Sequence, residues 1–356
     1  MTNHESGDWE RTVAEPRAPL RVGLIGAGWV TQYHLPAWQK QAHRARIAAI
    51  ADPAADSARA RAEGFGIGNV YASAEAMLAA EALDVVDICA PREAHEQAVR
   101  LAGARGLAII CQKPLAPTLA AARTLVAGLP AGVRLMVHEN WRFRPNYRRL
   151  KQWLNIGWAG YVRQVRLDFL SSGMLPDADA RRPALVRQPF LRGLPRMLVS
   201  EILIHHLDTL RFLLGELELV SATLEHTNGE IAGEDVASIL LRTQDGAPVV
   251  VNGNFAVHGA PPLPSDKLSI MGSAGTLSVE GYRLAATGLH QAVEDFDPDL
   301  AYQGAYDRTI EHFVDSLQQG LPFETGPADN LRTLELVERI YERASMRSPG
   351  PAAGGI

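Results

Sequence analysis

Short, nearly continuous apolar runs punctuate the first third of the chain: Arg21–Ile25, Arg46–Ala51, Val85–Ala90, Ala108–Cys111 and Arg134–Val137. Ala-rich or amphipathic stretches lie between them, among them Glu93–Ala104 and Leu119–Gly128. Apolar strands alternating with helices predict a parallel sheet covered on both faces. The pattern changes after about Arg144. A helix is predicted over Asn146–Ile156 and an alternating strand over Tyr161–Leu170. The Pro- and Arg-rich segment Ser171–Pro195 shows little periodicity, and a segment of that length inside a compact domain points to function or mobility. A helix over Met197–Leu214 follows. Strands are then predicted at Leu217–Leu224, Asp235–Thr243, Pro248–His258, Lys267–Met271 and Thr276–Glu280. Asp245-Gly246 and Gly272–Gly275 separate neighbouring runs, which is hairpin patterning and predicts a mainly antiparallel sheet. Helices over Ala301–Gln319 and Asp329–Met346 close the pattern.

With 356 residues there is chain for two cores. The expected division is a polar tail over 1–18, an α/β domain over 19–139, an α+β domain over 140–346 and a Pro/Gly/Ala tail over 347–356. The composition, 47% apolar and 21% charged, is that of a globular protein. No apolar run approaches the ~20 residues of a membrane span. A net charge of −5 gives no electrostatic case for nucleic acid. The only two cysteines, Cys89 and Cys111, fall in predicted buried strands and make neither a zinc set nor a disulfide framework. With no signal-peptide core in the first residues, the expectation by elimination is a cytoplasmic protein.

Three places carry candidate chemistry. The first is Arg21–Thr31, where a strand runs into Gly26-Ala27-Gly28 and a helix opens at about Trp29. Such a turn lets backbone approach a pyrophosphate at a helix N-terminus. Asp52, at the end of the next strand, reads either as an acceptor for ribose hydroxyls or as a strand-end cap before Pro53. The first reading favours NAD over NADP, because a carboxylate repels a 2′-phosphate. The second place is Lys113, which leaves the carboxyl edge of a buried strand just before Pro114, as a site residue or as a surface cap. The third is Glu201–Asp208. Helical spacing puts Glu201, His205 and Asp208 on one face, a stripe suited to a general base or to a satisfied core histidine. No second ligand pair accompanies it, so no metal is expected. His206 points away and reads as structural; His34 and His95 read as packing or capping residues. Trp141, Phe143 and Tyr147 beside Arg142 and Arg144 read as interdomain packing rather than a nucleic-acid stripe, given the acidic whole.

Together these motifs resemble the glucose–fructose oxidoreductase / inositol dehydrogenase / MocA family along about Leu20–Met346. The matches are GLIGAGWVTQYHLPAW at Gly23–Trp38, Asp52, the Pro91–His95 step, QKPLA at Gln112–Ala116, HHLDTLRFLLG at His205–Gly215 and GSAGTL at Gly272–Leu277. The resemblance implies a Rossmann domain followed by a domain on an open antiparallel sheet. It implies a nicotinamide cofactor, NAD or NADP, lined by Gly26, Ala27, Gly28, Trp29, Val30, Asp52, Pro91, Gln112 and Lys113. Lys113 matches the family's catalytic lysine, and Glu201 and His205 its acidic residue and histidine base. Gln112 stands where Glu is usual, Glu201 where Asp is usual, and Thr31 where a smaller residue is usual.

The implied reaction is reversible oxidation of a secondary alcohol on a sugar, polyol or related compound. His205 would take the hydroxyl proton, Lys113 would stabilise the oxygen, and Glu201 would orient His205 or a substrate hydroxyl. Arg142, Asp208 and Arg187 are the further expected substrate contacts, with Asp208 also a support for the helix face. An apolar, uncovered sheet face would demand a homodimer or homotetramer. The rival readings are a non-catalytic NAD and sugar sensor, and NAD-assisted elimination or hydrolysis of a glycoside.

Overall fold

Six short strands form the first sheet: β1 (Leu20–Ile25), β2 (Ala45–Ala51), β3 (Asn69–Tyr71), β4 (Val85–Ile88), β5 (Ala108–Gln112) and β6 (Leu135–His138). Their order is β3-β2-β1-β4-β5-β6, and every pairing is parallel. The strands read as continuous apolar runs because helices cover both faces. The order reverses between β1 and β4, which opens a crevice at the carboxyl ends of those strands. The computed structural model that shows this describes residues 18–263 and 265–347. The expected tails, apart from Ala18 and Arg347, lie outside the described residues.

The second sheet holds β7 (Val162–Leu170), β8 (Leu217–Glu225), β9 (Val236–Thr243), β10 (Pro248–Asn254), β11 (Ser265–Gly272), β12 (Gly275–Glu280), β13 (Arg283–Gly288), β14 (Ala292–Asp295) and β15 (Ser345–Arg347). The order is β14-β13-β12-β11-β7-β10-β9-β8-β15. It is antiparallel except where β10 pairs with β7 and β15 with β8. Strands β13 and β14 extend it beyond the predicted runs. Their alternation is short and interrupted by Gly281 and Gly288, both at positive φ. β15 takes the Met346 end expected to be helical.

Inward positions such as Val165, Leu167, Ile239, Val251, Leu268 and Val279 join the helices Pro145–Asn155, Ile204–Leu214 and Pro327–Arg343 in one core. The opposite face is not the apolar surface expected. In-register outward side chains form a polar row. Ser238 bonds Asn252, Asn252 donates to Asp168 (2.8 Å), and Lys267 pairs with Glu280 (2.8 Å).

The helix Pro298–Gln319 crosses the expected division at residue 140. Tyr306, Ile310, Phe313 and Val314 pack with Val22 and Ile110 of the first sheet and with Trp38 of the helix Thr31–Lys40. The late helix thus covers the Rossmann sheet, because its apolar stripe finds its partner there rather than on the sheet that precedes it.

Candidate active site

Four predicted or newly apparent residues follow directly on strands of the first sheet, and a fifth lies close by at the same carboxyl edge. Gly26 follows β1, Asp52 β2, Lys113 β5 and Glu139 β6, while Pro91 lies just beyond β4. Gly26 has φ +100°, and a Cβ there would lie 2.7 Å from Ala90 N and Cys89 C, so only glycine lets the turn close on the next loop. A Cβ at Gly28 would meet open space. The helix after the turn begins at Thr31, two residues later than expected, with Val30 as its cap. Thr31 is buried and its hydroxyl donates to Gly28 O (2.6 Å), so the larger residue is accommodated by a hydrogen bond.

These positions fit a dinucleotide. The amides of Gly28, Trp29 and Val30 find no acceptor among the described residues, leaving N–H groups at a helix N-terminus. Asp52 accepts from Ala27 N and Ala54 N, both at 2.7 Å. Each carboxylate oxygen has one of these donors and can accept another, so capacity for the ribose hydroxyls remains. Trp29 is half exposed and Pro91 exposed at the crevice edge.

Gln112 turns the other way. Its Nε2 lies 2.7 Å from His34 Nε2 and 3.1 Å from His138 Nδ1. His34 Nδ1 in turn faces Asp87 at 2.8 Å, and Trp38 Nε1 donates to the same oxygen (2.7 Å). An amide supplies two N–H donors to two imidazole lone pairs; a carboxylate has none to offer. That accounts for glutamine at this position, and it corrects the expectation that the Gln112 side chain lines the cofactor. His34, Asp87 and Cys89 are the one cluster of metal-type donors among the described residues, and Asp87 is already engaged by His34 and Trp38. His95 clamps the neighbouring loops, with ring nitrogens 2.8 Å from Pro114 O and 2.9 Å from Ala90 O.

Lys113 Nζ donates to Glu201 twice, at 2.7 Å to Oε1 and 2.8 Å to the main-chain O. An ammonium has three donors, so one remains open. Arg92, whose role nothing in the sequence pattern signalled, approaches Glu201 Oε2 at 3.5 Å.

The helical stripe does not assemble as its spacing predicts. Leu198–Leu203 is wound as a π-helix before the α-helix Ile204–Leu214 begins. Buried Glu234 accepts the amides of Met197 and Val199 at its start. Such turns recur at functional sites. Glu201 bonds Lys113 rather than His205, and the carboxylate on His205 is Glu139, with Oε1 2.6 Å from Nδ1. Trp141 stacks on the His205 ring, centroids 4.8 Å apart and planes within 9°. Burial, reinforced by Lys113 and His206, holds the His205 pKa well below the usual imidazole value, so the ring rests neutral. Its Nε2 has no hydrogen-bond partner among the described residues, and the side chain keeps 12% exposure.

Arg142 and Asp208 are placed behind this site rather than in it. Arg142 Nε and Nη2 meet the Asp208 carboxylate at 2.7 and 2.6 Å, and Arg142 also reaches Asp329 (2.8 Å). Thr333 donates to Asp208 at 3.0 Å. Both partners are buried and saturated, which overturns the expectation that they contact substrate. Arg187 sits at the end of the short helix Pro183–Arg187, exposed and without a hydrogen bond or ion pair among the described residues. His206 is structural as expected: buried, it bonds Asp266 (2.9 Å), which Tyr147 (3.0 Å) and Arg144 (3.2 Å) also hold.

A doubly wound sheet with a phosphate turn, joined to a lysine and a neutral histidine beside an open sheet domain, defines a nicotinamide-dependent oxidoreductase. The family comparisons agree. Residues 20–138 match the oxidoreductase family with an NAD-binding Rossmann fold, and residues 147–278 match the GFO/IDH/MocA C-terminal domain. The chain belongs to the Gfo/Idh/MocA family. It is 36% identical over 335 residues to a D-apiose dehydrogenase of Paraburkholderia graminis, covering 90% of this chain and 87% of that one. It is 29% identical over 337 residues to an inositol 2-dehydrogenase of Rhizobium meliloti, covering 90% and 95%. An oxidoreductase from Agrobacterium radiobacter, solved with NAD+, L-tartaric acid and magnesium, superposes with a TM-score of 0.83 at 33% identity over 92% of this chain and 96% of that one.

Proposed function

We propose that this protein reversibly oxidises a secondary alcohol of a sugar or cyclic polyol, with NAD as the preferred cofactor. The observation that carries the reading is the pairing of two unfilled hydrogen-bonding positions, the third donor of Lys113 and the Nε2 lone pair of His205. NAD, when bound, supplies the hydride acceptor. The Gly26–Val30 turn would hold its pyrophosphate and Asp52 its adenosine ribose. His205 Nε2 takes the hydroxyl proton. Lys113 donates to the same oxygen and stabilises the charge that builds there, a fixed donor in a largely buried setting. Glu201 and Arg92 keep the lysine aimed. Arg187, exposed and without a hydrogen bond or ion pair among the described residues, is offered as a substrate contact.

Relatives named D-apiose dehydrogenase and inositol 2-dehydrogenase place sugars and cyclic polyols first among substrates to test. The presence of both Lys113 and His205 supports an enzyme over a sensor. No helix of the described residues is long and apolar enough to cross a membrane. A homodimer or homotetramer rests on the family resemblance, since the open sheet face is a polar row with Leu240, Val250 and Met271 interleaved rather than the apolar surface that would demand a partner. Incubation with NAD and a panel of sugars and polyols tests the reading: NADH should form with the wild type and be lost in Lys113→Ala and His205→Ala, both still binding NAD.

A further inference from the structure

The carboxylate facing His205 comes from the first sheet, not from the helix that carries the histidine. Glu139 follows β6 and is 1% exposed. Its Oε1 lies 2.6 Å from His205 Nδ1 and accepts the Trp141 amide at 3.2 Å. Trp141 then lies flat on the same imidazole. The ring is thus held in its plane by Glu139 and across its face by Trp141.

We propose that Glu139 is the positioning residue for His205: it keeps the ring proton on Nδ1, so that the Nε2 lone pair faces the substrate hydroxyl. The inference rests on the base role given to His205 above. A neutral imidazole carries one N–H and one lone pair, and the partner on one nitrogen decides which is which. With Glu139 as acceptor on Nδ1, only Nε2 is free to take a proton. When the hydroxyl proton moves from substrate oxygen to Nε2, the Nδ1–H stays in its bond to Glu139, and the carboxylate offsets the charge of the imidazolium. The proton later leaves through Nε2, the ring nitrogen without a partner among the described residues.

The surrounding charges suit this division. Lys113 after β5, His206 on the same helix and Arg144 after β6 disfavour imidazolium, while Glu201 favours it. Around Glu139, burial pushes the carboxyl pKa up to about 7, against the pull of Lys113, Arg142 and His206. A carboxylate 2.6 Å from Nδ1 favours the imidazolium, so removing it makes His205 harder to protonate.

Glu139→Gln and nitrogen-15 spectra of His205 test the proposal. In the wild type the His205 resonances should show the Nδ1–H tautomer. In Glu139→Gln, kcat should fall about 10²-fold or more with KM little changed. The acid limb of kcat should move to lower pH, and Glu139→Asp should recover part of the rate. A Gln variant close to wild-type rate, or one whose loss leaves the acid limb in place, overturns it. Should the Gln variant fail to fold, the wild-type spectrum decides: the Nε2–H tautomer contradicts the proposal. A wild type that oxidises no sugar strikes the reaction assigned above, while the tautomer still reports on the dyad.

Discussion

Lys113 and Glu201 meet across the two sheets, with Nζ 2.7 Å from Oε1 and 2.8 Å from the main-chain oxygen. One residue follows β5 of the Rossmann sheet and the other sits in the π-turn before the helix Ile204–Leu214. Each side chain is 11% exposed. The contact aims the ammonium and fixes the crevice between the two halves at one point.

Lys113→Met should lower kcat about 10²-fold or more while NAD affinity stays close to wild type, since the lysine acts on the reacting oxygen. Glu201→Gln keeps an acceptor for the ammonium and should cost less, about 10-fold. Steady-state rates together with a fluorescence titration of NAD separate the two effects.

Asp208→Asn should act on stability rather than on substrate affinity. It takes the bidentate carboxylate from the buried Arg142 guanidinium and leaves Asp329 as its ion-pair partner, a loss of about 1–3 kcal/mol. Urea denaturation reads the loss directly. An unchanged midpoint with a raised KM would return Asp208 to the substrate site.

Asp52→Ala should weaken NAD binding and narrow the preference for NAD over NADP, because the carboxylate both accepts from ribose and repels a 2′-phosphate. It also frees the Ala27 amide, so part of the loss reflects a loosened turn. Binding titrations with both cofactors give the ratio that matters.

Most of the first sheet was legible because buried parallel strands read as continuous apolar runs, each ending on a residue with chemistry. That position made Asp52 and Lys113 candidates, each with a strand-end cap as the rival reading. Glu139 occupies the same position after β6 and could have been found by the same rule. It was hidden because the stripe Glu201–His205–Asp208 already supplied carboxylates at helical spacing. That spacing assumes α-helical winding, and the π-turn over Leu198–Leu203 breaks it. The burial of Arg142 and Asp208 depends on Asp329 and Thr333, more than a hundred residues away, which no local pattern reveals. The polar row across the open sheet emerges only once strand register is known.

Asp266 should make the fold acid-sensitive. Burial alone would raise its pKa, but His206, Arg144 and Tyr147 hold it down at about 2, below the usual 3.8. The folded value is depressed, so the stabilisation is complete above about pH 4 and is lost as pH falls through about 2. It amounts to about 2 kcal/mol. Asp266→Asn should be less stable than wild type at neutral pH, with the difference shrinking toward pH 2 in calorimetry.

The most direct test of the central claim is NADH formation by the purified protein with NAD over a panel containing D-apiose, other sugars and inositols. The account predicts stoichiometric NADH with at least one of them, abolished in His205→Ala and Lys113→Ala variants that still bind NAD. Tight NAD binding with no net NADH from any sugar or polyol would contradict it.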